Sequence, residues 1–162
     1  LNSGKDFIRI RDEVCFLEKY LYLMRARFGE RVCWVSDIDP AVLDVEIPKL
    51  IIQPLLENAI HHGLEPMIEG GRIRLFMRQD RDNMNIVVED TGVGFGKDLL
   101  LKNEEISKLK NGVALRNIYN RLNLYYSGRF EYTIQSSEYG GSRVGIIICI
   151  REDVQDEDVG SR

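Results

Sequence analysis

Between Asp12 and Phe28 apolar residues recur every three or four positions, at Val14, Phe16, Leu17, Tyr20, Leu21, Leu23, Met24 and Phe28. That is the period of one helix face. Asp12 is placed to cap this helix and Gly29 to stop it. Arg31 to Asp37 alternates and predicts a strand that ends at the Asp39-Pro40 turn. Helical spacing restarts at Pro48, with Leu50, Ile51, Leu55, Leu56, Ala59 and Ile60 on the apolar side and Gly63 at the end. Pro54 falls inside that run, where it is expected to remove a hydrogen bond and bend the helix.

Ile73 to Met77 and Met84 to Val88 alternate as two strands around a polar tip, Gln79 to Asn83. Gly96 to Asn111 is rich in Lys, Glu and Leu. It is too long for an ordinary connection, and residues 95–111 read as a lid. Val113 to Tyr126 is helical through Leu115, Ile118, Leu122 and Tyr125. Phe130 to Ser136 and Arg143 to Ile150 are closing strands around Tyr139-Gly140-Gly141. The order is helix, strand, helix, two strands, lid, helix, two strands. It predicts an α+β, two-layer sandwich with a mixed, mostly antiparallel sheet covered on one face by helices. Residues 1–11 read as a lead-in, 12–150 as the domain, and 151–162 as an acidic, disordered tail.

Composition narrows the classes. The chain has 162 residues, 44% hydrophobic and 30% charged, which suits one soluble domain. A net charge of -4 argues against a general nucleic-acid binder. Cys15, Cys33 and Cys149 form no C-x-x-C pair. Each sits in an apolar stretch, so they read as small buried side chains in a reducing compartment. No stretch reaches the length of a membrane span, and Leu1 in place of a start methionine suggests a piece of a longer protein.

Four segments carry candidate chemistry. Asp90, in Asp90-Thr91-Gly92-Val93-Gly94-Phe95, stands at a strand end, where a carboxylate can accept from an exocyclic amine while Gly92 and Gly94 fold the chain tightly. Read alone, the segment is equally a hairpin turn. Asn58, in Leu56-Glu57-Asn58-Ala59-Ile60-His61-His62-Gly63, offers an amide oxygen suited to Mg²⁺. His61 and His62 lie three and four residues on, although the segment alone also reads as a solvated face. Gly112 opens a helix whose N-terminus can receive phosphate, with Arg116 close in sequence. Ser142 opens the last strand after two glycines, and its hydroxyl can bond a base, as it can a plain turn.

Taken together and in order, these segments resemble the catalytic ATP-binding domain of sensor histidine kinases. This is the Bergerat fold shared with gyrase B, MutL and the heat-shock-ninety chaperones. Gln53 to Ala59 and Leu115 to Leu122 are most similar to LytS/YesM-type bacterial sensors, and Leu17 to Gly29 to that subgroup's connecting helix. The resemblance covers residues 12 to 150. It implies that Asn58 coordinates Mg²⁺ and that Asp90 accepts from the adenine amine. It implies further that Gly92 and Gly94 shape the adenine pocket, that Gly112 and Leu115 belong to the phosphate-side box, and that Ser142 stands near the base. Glu57 would polarise the attacking group, His61 would take a place often held by a phosphate-touching Lys, and His62 would pack locally.

The resemblance also implies a reaction and partners. The γ-phosphoryl of ATP would pass to a histidine on an upstream dimerisation and phosphoacceptor helix, then to a response regulator. The parent would be a homodimeric membrane protein with this domain in the cytoplasm. Both histidines of the chain lie in the nucleotide motif, so the acceptor is expected elsewhere. Where relatives read G-x-G-x-G-L, this chain has Lys110, Gly112 and Ala114, and weakened ATP binding is expected. Two rival readings stay open: a non-catalytic adaptor with weak nucleotide affinity, and an anti-sigma-type serine kinase of the same fold.

Overall fold

The computed structural model describes residues 4–150. The acidic tail expected over 151–162 lies outside them. Strand β1 (Phe7–Arg9) runs straight into helix α1 (Ile10–Phe28), followed by β2 (Val32–Ile38), β3 (Glu46–Pro48) and α2 (Ile52–Asn58). A π-helical turn, Ala59–Leu64, prolongs α2. Then come β4 (Gly71–Asp80), β5 (Asn83–Asp90), β6 (Leu100–Lys102), α3 (Glu104–Ser107), α4 (Val113–Tyr126), β7 (Phe130–Ser136) and β8 (Ser142–Cys149). The main sheet has the order β2-β4-β5-β8-β7-β6. β2 and β4 are parallel and the other pairs antiparallel. This is the expected mixed sheet with helices on one face.

Strand alternation fixes which face is covered. Ile73, Leu75 and Met77 of β4, Met84, Ile86 and Val88 of β5, and Val144, Ile146 and Ile148 of β8 are all buried against the helices. The intervening residues form the other face of the sheet. Cys33 belongs to this outer face and is exposed, Cys149 is half-buried there, and Cys15 is exposed on α1. The expectation of three buried cysteines is therefore corrected: Cys33 and Cys149 each lie one step out of phase with the core positions of their strands, and Cys15 lies between the buried positions 13 and 17 of α1 on its open side.

The same phase argument revises α1. Ile10, Glu13, Leu17 and Leu21 are buried, whereas Phe16 and Leu23 are more than half exposed. The helix starts at Ile10, so Asp12 lies in its first turn rather than capping it, and Gly29 ends it with φ of 64°. Pro48 closes β3 instead of starting a helix. Pro54 is the third residue of α2, where the backbone N–H has no intrahelical partner in any case, so no bond is lost. The lead-in contains β1, which pairs with β3. The lid segment contains β6, zipped to β7, and α3, whose Ile106 is fully buried. Among the described residues no helix is long and apolar enough to cross a membrane.

Glu13 is a charged side chain in this core, 6% exposed. Its carboxylate accepts the backbone N–H of Gln53, the second residue of α2. The residue before α2, Ile51, offers no side-chain cap, so α1 caps its neighbour through Glu13. Burial, the larger influence, raises the Glu13 carboxyl above its ordinary 4.5, and the Gln53 bond partly offsets it. A carboxyl raised in the fold contributes its stability below the unfolded value, and that contribution fades as pH climbs through the folded value. Glu13→Gln keeps an acceptor without the charge. It should match or exceed the parent's melting temperature at pH 7, with the advantage shrinking on acidification toward pH 4.5. Glu13→Ala should cost about 1–2 kcal/mol in urea unfolding through the lost cap.

Candidate functional site

β5 ends at Asp90, which is only 3% exposed. Its Oδ1 accepts the Gly92 N–H at 2.8 Å, and its Oδ2 accepts the Ser142 hydroxyl at 2.5 Å. Desolvation raises the carboxyl above its usual range, and the bonds from Ser142 and Gly92 partly offset that. Each oxygen keeps acceptor capacity beyond the bond it makes.

Backbone packing holds this carboxylate in place. A Cβ on Gly92 would meet the Gly63 carbonyl oxygen at 2.2 Å, and one on Gly141 would meet the Asp90 carbonyl oxygen at 2.1 Å. Real side chains do not tolerate such distances, so these two positions need glycine for close approach. The Val93 N–H donates to the Gly63 carbonyl at 3.0 Å. Three chain segments thus converge on Asp90: the end of the π-helical turn, the loop after β5 and the start of β8.

A cavity of about 700 Å³ opens beside this cluster. Its wall comprises Asn58 and His62 from α2 and the turn that follows, Gly94 and Phe95 after β5, Leu99, Leu101, Leu109 and Asn111 from the lid segment, Gly112 to Leu115 at the start of α4, and Ile134 of β7. The size suits a small-molecule site, and the lining is mostly apolar with a few convergent polar groups. Gly112 precedes α4 with φ of 118° and gives no side-chain cap. The first N–H groups of this 14-residue helix therefore face the cavity without intrahelical partners, at the positive end of its dipole.

The candidate residues divide into three groups. Asn58, Gly94, Gly112 and Leu115 line the cavity. Asp90, Gly92 and Ser142 form the buried cluster next to it, which the wall residue Gly94 adjoins through Gly141. Glu57 and His61 are on the side of α2 that faces α1. Glu57 accepts from the Gln53 side chain at 3.1 Å. His61 lies 3.0 Å from Glu65 and 3.4 Å from the Tyr20 hydroxyl, with its ring edge-on to Phe28. The expectation that His61 faces phosphate is therefore corrected, and His62 lines the cavity instead. The spacing held the signal: Asn58 and His62 are one helical turn apart, and His61 is rotated off that face. Arg116 is also re-placed. Its guanidinium donates to the carbonyl of Leu109 and, at 3.1 Å, to that of Lys110, so it fastens the end of the lid to α4.

Known proteins resemble this chain in sequence and in fold. The sensor histidine kinase YesM of Bacillus subtilis is 35% identical over 154 residues, which is 95% of this chain and 26% of YesM. The sensor protein LytS of Oceanobacillus iheyensis is 32% identical, over 92% of this chain and 26% of its own. The chain thus spans about a quarter of the length of these curated relatives. In fold it resembles the catalytic domain of the histidine kinase ThkA, with a TM-score of 0.65 at 13% identity, covering 89% of this chain and 95% of that one. It also resembles the histidine kinase domain of the blue-light activated kinase EL346 of Erythrobacter litoralis, with a TM-score of 0.60 at 17% identity, covering 88% of this chain and 62% of that one. The family model of histidine kinase-, DNA gyrase B- and HSP90-like ATPases matches residues 44–155, well over half of the sequence, and this chain belongs to that family.

Proposed function

We propose that the chain binds Mg-ATP and acts as the phosphoryl-donating domain of a sensor histidine kinase. The observation that carries this reading is one cavity that joins the Asn58 amide to the uncapped start of α4, beside the buried Asp90 and Ser142 pair. Asp90 accepts the 6-amino group of adenine on its spare acceptor sites, and Ser142 holds the carboxylate in orientation. The absence of side chains at Gly92 and Gly94 lets the purine come close to the backbone. The N–H groups at the start of α4 receive the phosphates.

Asn58 supplies an amide oxygen to Mg²⁺. A set of one protein ligand with phosphate oxygens and waters suits this ion. An ion held there by Asn58 would supply neutralisation of the charge that develops on the phosphates. Glu57, which the resemblance would make the polarising group, bonds Gln53 and faces α1, so it is given no part at the phosphates. The acceptor histidine, its dimeric helices and a membrane anchor belong to the parent protein, and the response regulator is a separate partner that takes the phosphoryl group from it. Ala114 lines the cavity, and its methyl group reduces rather than abolishes affinity.

Asp90→Asn separates binding from stability. An amide directs N–H toward the adenine amine, so affinity for a fluorescent ATP analogue should fall at least about tenfold. The variant should melt no lower than the parent at pH 7, because the Asp90 carboxyl is raised by burial and its contribution to stability fades as pH rises through the folded value. Unchanged affinity would remove the adenine role. Parent affinity should decline on acidification at a higher pH than an ordinary aspartate near 3.8 would give, and this decline should vanish in Asp90→Asn.

Asn58→Ala tests the metal arm. Calorimetric titration of the analogue with and without Mg²⁺ should show a strong Mg²⁺ effect in the parent and almost none in the variant. An equal Mg²⁺ effect in both would assign the ion elsewhere. Radiolabelled ATP should leave the chain itself unlabelled, and should label a longer chain that includes the relatives' upstream segment.

A further inference from the structure

Helix α1 grips α2 at both ends. At the front, the Glu13 carboxylate caps α2 through Gln53. At the back, Tyr20 meets His61 Nε2 at 3.4 Å while His61 Nδ1 meets Glu65 at 3.0 Å. The Tyr20 hydroxyl is pushed up to about 12 by burial first and by the charge of Glu57 second, so it stays a donor at working pH. The arrangement that satisfies both contacts has Nε2 accepting from Tyr20 and Nδ1–H donating to Glu65. Arg27 reaches Glu65 at 3.5 Å. Arg31, just past α1, donates to the carbonyls of Glu65 at 3.3 Å and Met67 at 2.6 Å.

The element held in this way is the π-helical turn, in which the Glu65 N–H reaches back five residues to the Ile60 carbonyl. Such turns are rare, and they concentrate at functional sites. One side of this turn faces α1 through His61. The other side presents His62, with Asn58 one turn earlier, to the cavity, and its Gly63 packs against Asp90. Of these links, His61 is the one whose own turn carries the cavity residue His62, and it is bonded at both ring nitrogens.

We propose that His61 is a positioning residue: clasped between Tyr20 and Glu65, it sets the rotation of the turn that aims Asn58 and His62, and so makes Mg-nucleotide affinity depend on where α1 sits. The affinity part rests on the nucleotide reading above; the clasp itself does not.

The test uses Tyr20→Phe, which removes one hydroxyl, and His61→Phe, which keeps the ring packing on Phe28 and removes both bonds. Amide hydrogen exchange across residues 58–65 is measured without ligand, and affinity for a non-hydrolysable ATP analogue with and without Mg²⁺. Exchange should rise about tenfold within 58–65 in both variants while β5 and β8 keep parental protection. Affinity should weaken about five- to tenfold with Mg²⁺ and change little without it, and His61→Gln should recover part of the loss. Unchanged exchange in the turn, or an equal rise throughout the sheet, overturns the clasp as a local device. A parent that binds the analogue, with variants whose Mg²⁺-dependent affinity is unaltered, overturns the coupling. A parent that binds no nucleotide defeats the reading of the cavity and the coupling with it, and exchange alone then decides the clasp.

Discussion

The structure hinges on a carboxylate kept out of water at the meeting point of three backbones. Asp90 can be buried because an N–H and a hydroxyl are supplied within bonding distance, and those donors can approach because Gly92 and Gly141 have no side chains. A buried charge without such partners would cost several kcal/mol. With them, the carboxyl remains poised and directional, at some expense to the stability of the unliganded fold. The end of α2 and the start of β8 are both fixed relative to β5 by this junction, and the cavity next to it inherits that geometry.

Much of this was legible in the sequence because it rests on short-range periodicity. Val113 to Tyr126 and Phe130 to Ser136 were read with the boundaries they have. The sheet hairpins followed from alternation broken at polar tips. The ordered motifs identified a family, and with it the likeness in fold. Asn58, Gly94 and Gly112 were legible as a group only through that resemblance, since each has an ordinary reading when taken singly.

What escaped was angular or long-range. Adjacent histidines look equivalent in a string, but roughly a quarter of a helical turn separates them, and this sends His61 to α1 and His62 to the cavity. Phe16 and Leu23 satisfy a loose three-and-four count yet fall on the open side of α1. Pro54 looked like a breaker because the helix was started too early, at Pro48. The pairing of β6 with β7 joins residues more than thirty positions apart in a charged segment, where no local pattern announces a strand. Glu13 gave no sign of capping a helix that begins almost forty residues later.

The segment 95–111 is anchored along its length, by Ser136 at Gly96 and Leu99, by β6 at the sheet edge and by Arg116 at the carbonyls of Leu109 and Lys110. Ordering a backbone costs about 1–2 kcal/mol per residue, so fixing residues 100–111 beforehand spares a ligand an entropic penalty on the order of 10 kcal/mol. A small molecule entering the cavity would then meet a wall whose backbone is already placed.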